Sequence, residues 1–328
     1  MHSSILKSKL LDYLNKQFPQ YVTVDELSQA CACSKEFTQV ILNTIISDGM
    51  PLEFSKNTCR LSNPIMSKSA ISANLHTKYF GQEILLLQST PSTNDHIKEN
   101  MNQFNHGSLL LAHEQTVGKG RLGRAWSSPA GKTVSMSLLL KPIDQTLDYA
   151  LLTQLAAASM IKALSHYVAA TIKWPNDIIV KKRKVSGILT EAEYAGNQLE
   201  GIILGIGINT NLDYENIPED IRDKASSLKI LSQMVDPNLI ISRFLNYFEH
   251  DYQDWITTHR TEPFLEICRK HSALIGQDFW IMTDKEKRKA SIDGLDKEGA
   301  LVITYLDTLE TVHLKSTHYS IRSETGYL

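Results

Sequence analysis

Apolar residues in the first 65 positions recur every three or four residues, which predicts a small helical unit. The first predicted helix has one apolar face, made of Ile5, Leu6, Leu10, Tyr13 and Leu14. A capping box at residues 23–26 opens a second, short helix. Ser34 can cap a third helix, which Gly49 ends and whose predicted apolar face comprises Phe37, Val40, Ile41 and Ile45.

Two short strand candidates, residues 51–54 and 59–61, follow the third helix and would form a wing. A short helix, a turn and a longer helix form the outline of a helix-turn-helix unit. We therefore predict a winged helix-turn-helix domain over residues 1–65, and a linker at Ser62-Asn63-Pro64.

After the linker, short apolar runs typical of strands alternate with segments whose apolar residues have helical spacing. This pattern predicts an α/β domain over residues 66–270. Residues 150–170 are apolar on most sides and predict a buried helix. The predicted strands comprise residues 84–87, 108–112, 133–140, 178–180, 185–189 and 201–208.

Residues 271–328 contain only strand and turn signals, which predicts a small β-barrel and makes the whole chain α+β. Turns are expected at Asp293-Gly294 and Glu298-Gly299. The predicted strands are residues 279–282, 301–305, 311–314 and 319–322.

Composition narrows the class of protein. The 328 residues are 42% hydrophobic and 21% charged with a formal net charge of −2, which fits a globular protein without a general affinity for nucleic acid. Neither a signal peptide nor a membrane-spanning apolar run is evident. The four cysteines form neither a disulfide framework nor a zinc pattern, and the histidines are scattered. We expect a cytoplasmic protein with no membrane partner and no metal-ligand set.

The charge of the predicted recognition helix does not decide whether the N-terminal unit binds DNA. The predicted recognition helix, residues 34–48, carries one cation, Lys35, whereas DNA affinity comes mainly from neutralised phosphates. DNA binding and a role in packing or dimerisation both fit this sequence.

The most informative motif is Gly118-Lys119-Gly120-Arg121-Leu122-Gly123-Arg124. Three cations on one glycine-rich loop predict a site for a phosphate or carboxylate. The same letters match the G-x-G-x-x-G dinucleotide fingerprint, but that motif requires a following helix. Here residues 133–138 alternate as a strand does, so the dinucleotide interpretation fails.

Three further clusters carry candidate chemistry. Lys173-Trp174-Pro175-Asn176-Asp177 offers oxygen ligands of the kind Mg²⁺ prefers, although a stabilised turn is the simpler interpretation. Lys184 precedes a strand and can point into a pocket. The glycines of residues 205–209 could admit a flat ligand with Asn209 bonded to it, or could simply allow tight packing.

Together with Ser92-Thr93-Asn94, these motifs resemble the biotin–protein ligase family in order and spacing, and the N-terminal unit resembles that of its bifunctional repressor members. The resemblance covers nearly the whole chain. It implies a class II synthetase-like catalytic domain, a C-terminal SH3-like barrel, and the ligands biotin, ATP and Mg²⁺. The implied reaction forms biotinyl-5′-AMP and then transfers biotin to a lysine of a biotin carboxyl carrier protein.

The resemblance also implies residue roles. Ser92, Thr93, Asn94 and Gln115 would hold the biotin ureido group, and the loop residues Gly118, Lys119 and Gly120 would approach the same ligand. The catalytic residues would be Arg121, Lys184 and Asp177, with Arg121 and Lys184 neutralising the carboxylate and the phosphate. The remaining nucleotide contacts would come from Asn176, Asn209 and Arg322. Asn176 and Asp177 would face Mg²⁺.

The implied partners are the carrier protein of acetyl-CoA carboxylase, operator DNA, and a second copy of the chain once the adenylate is bound. A monofunctional biotin ligase whose N-terminal domain does not bind DNA is the alternative, and a lipoate-type acyl ligase is the rival enzyme. Two positions depart from the family pattern. Lys119 replaces the usual first arginine of the loop, and Leu122 stands where repressor-type members often carry a cation.

Overall fold

The structure, a computed structural model, describes residues 2–141, 144, 146–283, 286–315, 319–324 and 327–328. The chain folds into a mixed α/β structure with helices first and a β-sheet last. None of the helices within these residues is long and apolar enough to cross a membrane.

The N-terminal elements build their own apolar core. They are α1 (His2–Gln17), β1 (Val22–Thr23), α2 (Val24–Cys31), α3 (Lys35–Ser47), β2 (Leu52–Ser55) and β3 (Thr58–Leu61). The capping box predicted at Thr23 is present, and the Ser34 hydroxyl caps α3 by accepting from the Phe37 amide. The three strands form one small sheet in the order β1-β3-β2.

The buried face of α3 differs from the predicted one. Its buried residues are Thr38, Ile41, Leu42 and Ile45, whereas Phe37 and Val40 are 41% and 57% exposed. The Thr38 hydroxyl bonds back to the Ser34 carbonyl oxygen at 2.9 Å, so its burial leaves no unpaired donor. The helical spacing was compatible with either set of residues on the buried face. Packing of α3 against α1 and α2 determined which set is buried.

The central part contains a seven-stranded sheet in the order β4-β5-β6-β10-β9-β8-β7. Only the β4–β5 pair is parallel. The elements in chain order are α4 (Lys68–Ser72), β4 (Ile84–Thr90), α5 (Thr93–Glu99), β5 (Leu109–Gln115), β6 (Val134–Leu140), α6 (Leu152–Leu164), β7 (Thr171–Lys173), β8 (Asp177–Val180), β9 (Arg183–Ala195), β10 (Gln198–Ile208), α7 (Leu228–Leu231), α8 (Pro237–Thr258) and α9 (Glu262–Lys270).

Two helices in this part differ from the prediction. The buried helix predicted over residues 150–170 is shorter, because α6 ends at Leu164 and a turn follows. The long helix α8 was not predicted; its apolar side chains, including Phe244, Phe248 and Tyr252, pack in the central core and α8 contacts α6.

The C-terminal sheet has the order β14-β13-β12-β11-β15. Its strands are β11 (Asp278–Met282), β12 (Lys287–Leu295), β13 (Leu301–Tyr305), β14 (Thr311–Leu314) and β15 (Ser320–Arg322). The turn predicted at Asp293-Gly294 is wrong, since both residues lie inside β12, where a bulge between Ile292 and Gly294 leaves Asp293 unpaired. The turn at Glu298-Gly299 is present, with Gly299 at a φ of 74°.

Candidate active site

The start of α5 and the end of β5 form the polar base of a small cavity. Ser92 caps α5, because its hydroxyl accepts from the Asp95 amide at 3.3 Å. The Gln115 side-chain oxygen accepts from both the amide and the hydroxyl of Thr93, at 2.8 and 3.1 Å. The parallel pairing of β4 with β5 places Thr90 opposite Gln115 and so brings these groups together.

Asn94 lies deeper in the same cavity and is 5% exposed. Its amide oxygen accepts from the Ser137 hydroxyl at 2.5 Å, and its amide nitrogen donates to Glu191 Oε2 at 2.5 Å. Gly205 provides the space, because a Cβ at this position would overlap the Asn94 amide. The side chain of Asn94 is therefore held at both ends.

The glycine-rich loop, residues 118–124, connects β5 to the strand β6 and closes over the cavity. The Trp126 amide donates to the Gly118 carbonyl oxygen at 2.8 Å, and the Gly120 amide donates to that of Arg124 at 2.7 Å. Lys119 forms an ion pair with Asp95 of α5, with 2.6 Å between Nζ and Oδ2. Hydrogen bonds within the loop and the ion pair with α5 therefore fix the position of the loop.

A second cavity of about 350 Å³ adjoins the small one. The two share one wall, which consists of Gly120, Arg121, Trp126, Asn176 and Lys184. Arg121 Nη1 donates to the side-chain oxygen of Asn176 at 3.1 Å, and the Asn176 amide nitrogen donates to the Ile188 carbonyl oxygen at 3.0 Å. A cation is therefore fixed where the cavities meet.

Asp177 is the carboxylate of the larger cavity within the described residues. Lys184 Nζ lies 2.6 Å from its Oδ1 atom, and the Tyr327 hydroxyl donates to its Oδ2 atom. Burial alone would raise the pKa of Asp177, but attraction to Lys184 and the hydrogen bonds from Lys184 and Tyr327 lower it below the ordinary value. The site keeps this carboxylate ionised.

Two further cations of the larger cavity, Lys173 and Arg322, are desolvated by burial. Burial, followed by repulsion from Arg322, lowers the pKa of Lys173 to about 7. The Lys173 ammonium donates to the Tyr327 carbonyl oxygen at 2.6 Å and lies 3.5 Å from the centre of its ring. Burial and then Arg124 lower the pKa of Arg322 as well. Such clustered, buried cations favour an anionic ligand.

Comparison with known proteins agrees with this arrangement. Residues 86–209 match the profile of the Biotin/lipoate A/B protein ligase family. The chain contains a domain of the biotin/lipoate A/B protein ligase family. The resemblance inferred from the sequence is thereby confirmed.

Two relatives and one solved structure show how far the likeness to this ligase family extends. The Bifunctional ligase/repressor BirA of Bacillus subtilis is 28% identical over 319 residues, which cover 94% of this chain and 97% of that protein. The Biotin--[acetyl-CoA-carboxylase] ligase of Paracoccus denitrificans is 28% identical over 224 residues, which cover 66% and 92%. The biotin protein ligase from Aquifex aeolicus in complex with biotin and ATP has a TM-score of 0.64 and 25% identity, covering 74% of this chain and 100% of that one.

Most of the predicted site residues line one or both of the two cavities. The small cavity is lined by Ser92, Thr93, Asn94, Gln115, Lys119, Gly120, Arg121, Asn176 and Lys184. The larger cavity shares Gly120, Arg121, Asn176 and Lys184 and adds Asp177, Asn209 and Arg322. Gly118 lines neither of these cavities; it packs against the Trp126 carbonyl group, where a Cβ would overlap.

Gly205 and Gly207 line the small cavity, but the space above each of them is occupied by a side chain of the site rather than by an empty slot for a flat ligand. A Cβ on Gly207 would overlap the indole of Trp126, and a Cβ on Gly205 would overlap Asn94. These glycines instead make room for two side chains of the site itself, because β10 passes directly beneath them.

Sequence reasoning missed three residues of the family domain and its surroundings: Trp126, Glu191 and Tyr327. Trp126 lines both cavities, and its buried indole N–H has no acceptor among the residues that the structure describes. A large aromatic residue directly after a glycine-rich loop was an available signal for it. Glu191 and Tyr327 lie far from their partners in sequence and gave no signal.

Proposed function

We propose that this chain is an ATP-dependent biotin–protein ligase that forms biotinyl-5′-AMP and transfers the biotinyl group to a lysine of a biotin carboxyl carrier protein. The observation that carries the proposal is the shared wall of the two cavities, where Arg121 and Lys184 face both spaces. Biotin would occupy the small cavity and ATP the larger one.

In the first step, the biotin carboxylate oxygen attacks the α-phosphate of ATP and pyrophosphate leaves with the electrons of the broken P–O bond. Two anions must approach each other, so the barrier contains strong repulsion. Arg121 and Lys184 would offset it, and Asn176 and Asp177 hold these cations in place before the ligands arrive. No enzyme nucleophile is required, because positioning and charge suffice.

In the second step, the lysine amine of the carrier attacks the acyl carbon of the adenylate, and AMP leaves with its phosphate oxygen. The mixed anhydride would hydrolyse in water, so the glycine-rich loop has to cover it. Its internal hydrogen bonds and the Lys119–Asp95 ion pair give the loop a closed geometry for that purpose.

The larger cavity offers Mg²⁺ one carboxylate among the described residues. No group of three histidine, cysteine, aspartate or glutamate side chains within the described part of the chain could hold a metal. Mg²⁺ commonly binds through one carboxylate and the phosphates of its nucleotide. Asp177 would be that carboxylate, and the ion would reduce the negative charge of the phosphates when bound.

We assign the finer fold names on the same basis. The α1–α3 unit with its hairpin would be the winged helix-turn-helix domain of residues 1–65, residues 66–270 the class II synthetase-like catalytic domain, and residues 271–328 the SH3-like barrel. The full-length likeness to a bifunctional ligase/repressor supports the first assignment.

We also propose that the chain represses biotin synthesis genes by binding operator DNA as a homodimer once the adenylate is bound. Gln39 and Asn43 on the exposed side of α3 offer amide groups suited to reading base edges. The monofunctional alternative is favoured by one feature of α3. Lys35, its only cation, is already paired with Asp25, and the exposed face includes Phe37 and Val40.

The ligase would act in the cytoplasm on the carrier protein of acetyl-CoA carboxylase. The test is to incubate the purified chain with biotin, ATP, Mg²⁺ and a carrier domain, and to locate added mass on one lysine. Biotin should be transferred and lipoate should not. Equal or preferred transfer of lipoate would assign the chain to the lipoate-type ligases instead.

A further inference from the structure

Glu191 does not line the small cavity but is hydrogen-bonded to Asn94, which does. It lies on β9 opposite Ile203 of β10, is half-buried, and accepts a 2.5 Å hydrogen bond from the Asn94 amide nitrogen. We propose that Glu191 is a positioning residue for biotin binding, acting by fixing the orientation of the Asn94 amide. This inference rests on the proposed ligase function.

An asparagine amide can rotate by half a turn and exchange its oxygen and nitrogen with little change in shape. Here the carboxylate of Glu191 removes that freedom. The Ser137 hydroxyl donates to the amide oxygen, while Glu191 accepts only from the amide nitrogen. In the reversed orientation, the amide oxygen would face the carboxylate of Glu191 and that hydrogen bond would be lost, whereas the Ser137 hydroxyl could still accept from the amide nitrogen.

The fixed orientation decides what Asn94 offers to a ligand. Its oxygen is engaged by Ser137, and one of its two N–H hydrogens is engaged by Glu191. The second N–H hydrogen is left for an acceptor atom in the small cavity that Asn94 lines. Gly205 adds a steric restraint, because β10 leaves room for Asn94 only where the glycine lacks a Cβ.

Glu193 provides a matched control on the same strand. It is two residues away, so its side chain points to the same side of β9 as that of Glu191. Its ion-pair partner is Lys98, at 2.7 Å, and it does not line the two cavities of the site. Removal of its carboxylate changes the local charge by the same amount without affecting Asn94.

The experiment compares Glu191→Ala, Glu191→Gln and Glu193→Ala in adenylate formation, with biotin affinity measured separately by calorimetry without ATP. Glu191→Ala should raise the KM and Kd for biotin roughly tenfold or more, with the KM for ATP within about twofold of wild type. Glu191→Gln keeps an acceptor but can also donate, so its loss of biotin affinity should be smaller than that of Glu191→Ala. Glu193→Ala should behave as wild type.

A double-mutant cycle with Asn94→Ala identifies the route of the effect. If Glu191 acts through Asn94, then Glu191→Ala should add no further loss in the Asn94→Ala background. Additive losses, or unchanged biotin affinity in folded Glu191→Ala, would overturn the inference. If Glu191→Ala does not fold, Glu191→Leu, which also lacks an acceptor, takes its place in the same cycle. A wild-type chain without biotin binding or adenylation would instead refute the proposed function.

Discussion

Lys184 and Asp177 form an ion pair across the β8–β9 hairpin, with Nζ 2.6 Å from Oδ1. The register of the hairpin places Lys184 opposite Ile179, two positions beyond Asp177 on β8. The carboxylate therefore holds the ammonium group at the junction of the two cavities before any ligand binds. In a site proposed to bring two anions together, this preorganisation is the main source of rate.

Lys184→Met should reduce adenylate formation by roughly 10²–10³-fold, since one fixed charge at the reacting groups is removed. Biotin- and ATP-dependent pyrophosphate exchange measures the effect. Lys182→Met is the control, because Lys182 lies exposed in the turn of the same hairpin. Near-normal exchange in Lys184→Met would remove Lys184 from the proposed mechanism.

Removal of Arg121 and removal of Lys119 should have very different effects on adenylate formation. Arg121→Ala removes a guanidinium group from the shared wall of the cavities and should lower adenylate formation by about 10²-fold or more. Lys119 is half-exposed and pairs with Asp95, and exposed ion pairs contribute little, so Lys119→Ala should lose less than about fivefold. Comparable losses in both variants would show that the roles of the two cations are not separated as proposed.

Gly205→Ala should weaken biotin binding, because the added methyl group overlaps the Asn94 amide and pushes it from its place. Overpacking of this kind costs about 1–3 kcal/mol, so thermal unfolding should also occur at a lower temperature. Gly294→Ala, where nothing lies within 4 Å of the added atom, is the control for a strand glycine. Unchanged biotin affinity in Gly205→Ala would contradict the described packing.

Lys173 should make folding stability depend on pH. Its pKa falls from 10.5 to about 7 in the folded chain, so between these values the unfolded chain binds the additional proton. The contribution of Lys173 to stability is therefore present above about pH 10.5 and is lost progressively as pH falls towards about 7. The methionine in Lys173→Met cannot titrate, so this variant should have a higher free energy of unfolding than wild type at about pH 7. The difference should become smaller as pH rises to about 9.5, as measured by urea titration. A pH-independent difference would contradict the lowered pKa.

DNA binding is tested by a gel shift with operator-length DNA at low salt. The repressor proposal expects tighter binding when biotin and ATP are both present, with the Arg121→Ala variant failing to respond because it makes little adenylate. Absence of any biotin-dependent shift in the wild-type chain would leave the monofunctional ligase. Salt titration adds a measure of phosphate contacts, and the single, already paired cation of α3 predicts a shallow slope.

Much of the local structure could be predicted from the sequence, because its causes lie within a few residues. The capping box at Thr23 and the Ser34 cap depend on side chains three positions from the amides they bond. The strand after the glycine-rich loop followed from simple alternation, and it was enough to exclude a dinucleotide fold. The bulge at Gly294 was misread as a turn, since a glycine serves both and only pairing with β13 distinguishes them.

The sequence by itself determined the chemistry that this protein can bring to a ligand: a flexible cationic loop, a polar cap at Ser92, and a lysine at the start of a strand. The tertiary structure decided how those groups meet. Asn94 and Glu191 are 97 positions apart, and Asp177 and Tyr327 are 150 apart, so no spacing rule connects them. Sheet order and register set such contacts, because one shift of register would turn Glu191 or Asp177 to the opposite face of its strand.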